Sequence, residues 1–103
     1  MSADIKEIYD EIYYGCDIEF KYGNWYYVIV SGGIPEEKKF FAQLSKFEHS
    51  SEENVETYSE GIYYKLFDDQ QTMTETFLTE PLFEGKSFYE IASDVEILTI
   101  FWY

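Results

Sequence analysis

Hydrophobic and polar positions alternate strictly from Asp17 to Tyr22. Ile18, Phe20 and Tyr22 are interleaved with Asp17, Glu19 and Lys21, the period of a strand with one wet face. Gly23-Asn24 follows as a two-residue hairpin turn. The next run, Trp25-Tyr26-Tyr27-Val28-Ile29-Val30, is apolar or aromatic throughout, which predicts a central strand covered on both faces. Upstream the period changes from two to about 3.6. Ile5, Ile8, Tyr9 and Ile12 form one stripe and predict a helix over residues 3–14, capped by Ser2, with Asp4 in its first turn and Gly15 at its end. Asp4, Lys6, Glu7, Asp10 and Glu11 are expected on its wet side.

Ser31-Gly32-Gly33-Ile34-Pro35 is expected to break the second strand. Residues 36–48 fit two patterns. Pro35 followed by acids, with Phe40, Phe41, Leu44 and Phe47, suits an amphipathic helix, while 38–44 also reads as a third strand. The strand is favoured because Gly61-Ile62-Tyr63-Tyr64-Lys65-Leu66-Phe67 looks like its antiparallel neighbour. The polar stretch 49–56 between them reads as an exposed loop, and Asp68-Asp69-Gln70-Gln71 as an acidic turn. Thr72 with Glu75, and Ser87 with Glu90, are spaced as capping boxes for two short helices, the second over Phe88 to Ser93. The run from Val95 to Tyr103 predicts a buried closing strand. The fold class is therefore α+β: one domain over residues 1–103, an antiparallel sheet built on the early hairpin, with short helices packed on one face.

Composition narrows the function. The 103 residues hold 21 acidic and seven basic side chains, a net charge of −14, alongside nine Phe, eleven Tyr and two Trp. So many aromatic residues oppose disorder, and so much negative charge repels nucleic acid and anionic membranes while attracting a basic protein groove. Acidity also serves plain solubility. The N-terminal MSADIKEIYD lacks the basic and apolar regions of a signal peptide, and no apolar run is long enough to span a bilayer, so a cytoplasmic protein is expected. One Cys and one His leave no internal disulfide and no Cys/His zinc site. No cofactor motif is present either.

Little in the chain suggests catalysis. His49 lies in the most loop-like stretch, and Cys16 opens a strand without a basic neighbour in sequence, which suits a small core residue rather than a nucleophile. The sequence offers no nucleophile elbow, phosphate loop, zinc-protease helix or calcium register. A non-enzymatic binding protein is expected. Its candidate partner-binding residues are Asp17, Glu19, Glu52, Glu53, Glu56, Tyr58, Glu60, Asp68 and Asp69, acids at wet positions with one tyrosine among them. Tyr13, Tyr14, Tyr58, Tyr63 and Tyr64 cannot all be buried with satisfied hydroxyls. Carboxylates and exposed tyrosines together suit an arginine-rich groove through ion pairs and cation–π contacts, and carboxylates at phosphate-like intervals would mimic nucleic acid. The alternative is a solvated acidic face with tyrosines packed on the sheet.

The segment Phe77-Leu78-Thr79-Glu80-Pro81-Leu82-Phe83-Glu84-Gly85-Lys86-Ser87-Phe88-Tyr89-Glu90-Ile91, running into Val95-Glu96-Ile97, resembles a pattern in short uncharacterised proteins of Gram-positive bacteria and their mobile elements. Those proteins also resemble this chain in an early hairpin like Ile18-Glu19-Phe20-Lys21-Tyr22. In size, acidity and tyrosine content the chain is similar to the small anti-CRISPR proteins, carried by phages and mobile elements, that inhibit type II-A Cas9. That resemblance implies direct binding to the nuclease in a bacterial cytoplasm and blockade of its basic guide-RNA or target-DNA channel. These families share no site motif, so it carries over no residue. A second class remains open: an immunity-type or adaptor protein for another basic protein, such as a toxin nuclease. A monomer and a homodimer both fit.

Overall fold

The computed structural model describes residues 4–49 and 59–101. Helix α1 (Ile5–Tyr13) leads into five strands and two further helices: β1 (Asp17–Tyr22), β2 (Trp25–Ile34), β3 (Lys39–Phe47), β4 (Ser59–Phe67), α2 (Gln70–Thr79), α3 (Phe88–Ile91) and β5 (Glu96–Phe101). All strand pairs are antiparallel, in the order β4-β3-β2-β1-β5. The first four strands form a meander. The chain then crosses the sheet through α2, α3 and a 3₁₀ turn at Ala92–Asp94, and β5 pairs with β1 at the opposite edge.

Register sorts the side chains into two faces. Ile18 opposes Ile29 and Phe20 opposes Tyr27; Ile29 in turn opposes Leu44, and Ser31 opposes Ala42. These residues are buried on one side of the sheet with Ile8 and Ile12 of α1, Met73, Phe77 and Leu78 of α2, and Phe88 and Ile91 of α3. The helices therefore cover a single face, giving an α+β fold. At its centre Phe83, from the link between α2 and α3, stands edge-on to Tyr27 at 5.2 Å and tilted against Phe20 at 5.8 Å, with Phe88 behind it at 6.0 Å.

The early hairpin forms as its pattern dictates. Gly23 supplies the positive φ of +64° at the first turn position. Helix α1 buries Ile8 and Ile12 of the predicted stripe, leaves Ile5 and Tyr9 half-buried, and ends in a Schellman arrangement: Gly15 N–H donates to the Ile12 carbonyl (3.2 Å) and Cys16 N–H to the Glu11 carbonyl (2.8 Å), with Gly15 at φ +86°. Of the two patterns in residues 36–48, the strand is the one realised. A turn over residues 35–38 returns β2 into β3, and β4 pairs alongside.

Five local expectations are corrected. Strand β2 does not stop at Ser31 but runs through Gly32-Gly33 to Ile34, because the rings of Phe41 and Phe40 on β3 lie across the two glycines, within 3.3 and 3.5 Å of where a Cβ would stand. Asp4 stands at the N-cap of α1 rather than in its first turn, accepting from the Lys6 and Glu7 amides, and Ser2, expected as the cap, lies outside the described residues. Asp69, not Thr72, caps α2, while the Ser87–Glu90 capping box forms as predicted. Strand β2 is central, yet only one of its faces lies under helices, and Val28 and Val30 on the other face are half-buried. Among the described residues the closing strand β5 pairs with one neighbour only and leaves Leu98 and Phe101 exposed, while Trp102 and Tyr103 of the predicted run lie outside them. Among the described residues no helix is long and apolar enough to cross a membrane.

Candidate protein-binding surface

The outer side of the helical layer gathers carboxylates and tyrosines. Tyr9 and Tyr13 lie one turn apart on α1, and their rings stack with centroids 6.4 Å apart and planes 18° from parallel. Tyr14 meets Tyr13 edge-on at 5.0 Å. The Gln70 side-chain amide donates to the Tyr13 carbonyl at 3.0 Å, tying the start of α2 to the end of α1. Packed this way, α2 brings Glu75 and α3 brings Tyr89 into the electrostatic neighbourhood of Tyr9. Burial raises the Tyr9 phenol pKa, and Glu75, Tyr89, Tyr13 and Asp10 raise it further. Tyr9 therefore stays a neutral hydrogen-bond donor. Tyr14, Tyr89, Asp10 and Glu75 are exposed, and Tyr9 and Tyr13 half-buried.

Charge is segregated between the layers. Residues 4–11 and 69–94, which build the helical side, hold ten acidic residues against two lysines, Lys6 and Lys86. The described strands and their turns hold eight acidic residues against five lysines. Several of those lysines are engaged locally: Lys39 pairs with Asp68, Lys46 lies 4.1 Å from the centre of the Trp25 ring, and Lys21 lies 5.5 Å from that of Tyr26. The helical side thus combines negative charge, phenol donors and exposed π-faces, the set of groups that receives lysine and arginine side chains.

The sequence-predicted residues are dispersed across the molecule. Glu19, expected on a wet face, is 4% exposed. Strand β1 has a neighbour on each side, and Glu19 stands between Val28 of β2 and Thr99 of β5. Asp17, two residues away on the same face, is half-buried, and Glu60 is exposed on the edge strand β4. Asp68 is exposed and ion-paired with Lys39. Asp69 is occupied as a helix cap, accepting from the Thr72 amide at 2.7 Å and the Thr72 hydroxyl at 3.0 Å; these bonds hold its carboxyl below the usual range. Glu52, Glu53, Glu56 and Tyr58 lie outside the described residues. Tyr63 faces the core against Phe77, and its buried hydroxyl has no hydrogen-bond partner among the described residues, whereas Tyr64 points to the opposite face.

Two buried titratable groups complete the picture. Cys16 is buried, and burial first, then Glu11 and Asp17, pushes its thiol up to about 11, so it rests as a thiol in the core. Glu11, expected on the wet side of α1, is only 2% exposed, and its Oε2 has no hydrogen-bond partner among the described residues. Burial, a hydrogen bond shared with Glu7, and the charges of Glu7 and Asp10 push its carboxyl up to about 7. Its position could have been found from spacing, since Ile8, Glu11 and Ile12 fall on one side of a helix. Among the described residues no group of three or more His, Cys, Asp or Glu side chains is arranged to hold a metal ion.

Comparison with protein-family models, curated proteins and solved structures gives no match.

Proposed function

We propose that this chain is a non-enzymatic inhibitor that binds a basic protein through the acidic, tyrosine-bearing side of its helical layer. The observation that supports this reading is the segregation of charge: nine acidic residues that are not buried and the Tyr9–Tyr13–Tyr14–Tyr89 group on one side of a chain whose lysines lie mostly elsewhere. Carboxylates steer a cationic groove into contact, and tyrosine faces then hold arginine side chains at close range.

The partner we propose is type II-A Cas9 in a bacterial cytoplasm, on the resemblance in size, acidity and tyrosine content. Its guide and target channel is lined with positive charge, and a carboxylate surface would compete there with the phosphate backbone. Direct nucleic-acid binding and membrane binding do not suit a chain of net charge −14.

The test is binding of the full chain to immobilised Cas9 at several salt concentrations, compared with Asp10→Lys/Glu75→Lys. The reading predicts saturable binding that weakens with salt and falls roughly tenfold or more in the double variant, mainly through the association rate. Binding unaffected by the reversal overturns the assignment of this surface. Absence of binding to any type II-A nuclease removes Cas9 as the partner and leaves other basic proteins, a toxin nuclease first, for the same assay.

A further inference from the structure

The side of the sheet opposite the helices carries a second surface of different character. By register, Tyr26, Val28 and Val30 of β2, Phe41 and Phe47 of β3, Tyr64 and Leu66 of β4, and Phe101 of β5 share it. Tyr64 is 59% exposed and Leu66 42%, and the Phe41 and Tyr64 rings stack across the strands at 6.0 Å. Tyr26, Val28, Val30, Phe41 and Phe47 are half-buried between the exposed Tyr64 and Leu66 on one edge strand and Phe101 on the other, and a largely apolar sheet face with no helix over it among the described residues is a candidate interaction surface.

We propose that this open face is a homodimer interface, in which two copies pack sheet against sheet about a two-fold axis. Charge decides for a second copy. Two chains of net charge −14 repel each other, most strongly through their helical sides. The described residues of the open face carry Asp17, Glu19, Asp68 and Glu96 against Lys21 and Lys39, with Lys39 and Asp68 paired to each other, so two copies meet here with less self-repulsion than through their helical sides. Area agrees. Three strands of ~30 Å and two of ~20 Å at ~4.8 Å spacing present a footprint of roughly 630 Å², of the same order as the ~800 Å² that each partner of a stable complex buries. Face-to-face packing of twisted sheets at ~10 Å is the ordinary arrangement of such surfaces. The edges are poor alternatives. β4 is interrupted by an irregularity opposite Leu44/Ser45 and carries Lys65, while β5 is interrupted opposite Glu19/Phe20 and carries Glu96; these devices discourage edge pairing. A face-to-face dimer leaves both acidic helical sides outward, and it stands whether or not Cas9 is the partner.

Sedimentation equilibrium of the full chain tests the proposal. The expected mass is twice the 12.3 kDa of one chain at about 100 µM, where a Kd of ~10 µM leaves most chains paired. Association should tighten as salt is raised, because screening removes repulsion from an apolar contact. Tyr64→Lys/Leu66→Lys should give the single-chain mass with an unchanged far-UV spectrum, and Gln43→Lys, on the same face, serves if that pair does not fold. Asp94→Lys, on the helical side, should stay dimeric. A wild-type chain of single mass, a dimer indifferent to both open-face variants, or a dimer that salt dissolves overturns the proposal. So does a monomer that co-sediments with phosphatidylcholine vesicles, which would assign the face to lipid.

Discussion

Replacing Glu11 with Gln isolates one buried charge. In the folded chain Glu11 is 2% exposed, shares a hydrogen bond with Glu7, and has its carboxyl raised from 4.5 to about 7. A carboxyl raised on folding binds its proton more tightly in the native state. Its contribution to stability is therefore complete below about 4.5 and is lost as pH rises through about 7. Holding the carboxyl at about 7 instead of 4.5 makes the ionised native state worse by roughly 3 kcal/mol. Glutamine keeps the shape and cannot ionise. Urea unfolding at pH 5, 6, 7 and 8, with common m-values, should show the stability difference between Glu11→Gln and wild type moving in favour of the variant. The change should be about 1 kcal/mol for each step of one in pH below pH 7 and should level off above it. Other carboxylates are common to both chains and largely cancel. A difference independent of pH would refute the reasoning, since it would mean that Glu11 ionises alike in the folded and unfolded chain.

Three further outcomes follow from particular contacts. Phe83→Ala should destabilise by about 3–5 kcal/mol in denaturant unfolding, because it empties the centre of the Phe20–Tyr27–Phe88 aromatic cluster. Gly15→Ala should cost about 1–2 kcal/mol through the left-handed conformation alone, and its Cβ would in addition stand 3.2 Å from the Ser31 carbonyl oxygen, which the same unfolding measurement reads. Reversal of Glu52, Glu53 and Glu56 to lysine, measured for partner binding beside Asp10→Lys/Glu75→Lys, compares two surfaces. The larger loss of association rate is expected from the helical pair, and a loss confined to the triple variant would move the site to residues 52–56.

The hairpin, the meander and the Ser87–Glu90 cap were legible because each depends on neighbours in sequence: alternation, a turn dipeptide, a cap three residues from its partner. What spacing alone did not reveal came from tertiary placement. Glu19 reads as wet in isolation and is buried because β5, from the far end of the chain, pairs beside β1. Gly32-Gly33 reads as a break and is a strand because two phenylalanines of β3 lie across it. Asp69 differs, since its cap on α2 is local: the Thr72–Glu75 spacing favoured Thr72 as the cap, and Asp69 takes that place. The tyrosine and carboxylate surface joins α1, α2 and α3, so only the clustering of Tyr9, Asp10, Tyr13 and Tyr14 hinted at it in the sequence. The overall acidity was legible, but its segregation to one layer was not, since that depends on which side of the sheet the helices pack.

The measurement closest to the central claim is a type II-A Cas9 cleavage assay, with wild type and Asp10→Lys/Glu75→Lys each added before or after guide RNA. Wild type should inhibit, and the double variant should lose that inhibition in large part. Inhibition only when the protein is added first would place the competition at guide loading, and inhibition in both orders would place it at target DNA. Full cleavage in the presence of wild type in both orders, or equal inhibition by the variant, would contradict the proposed function.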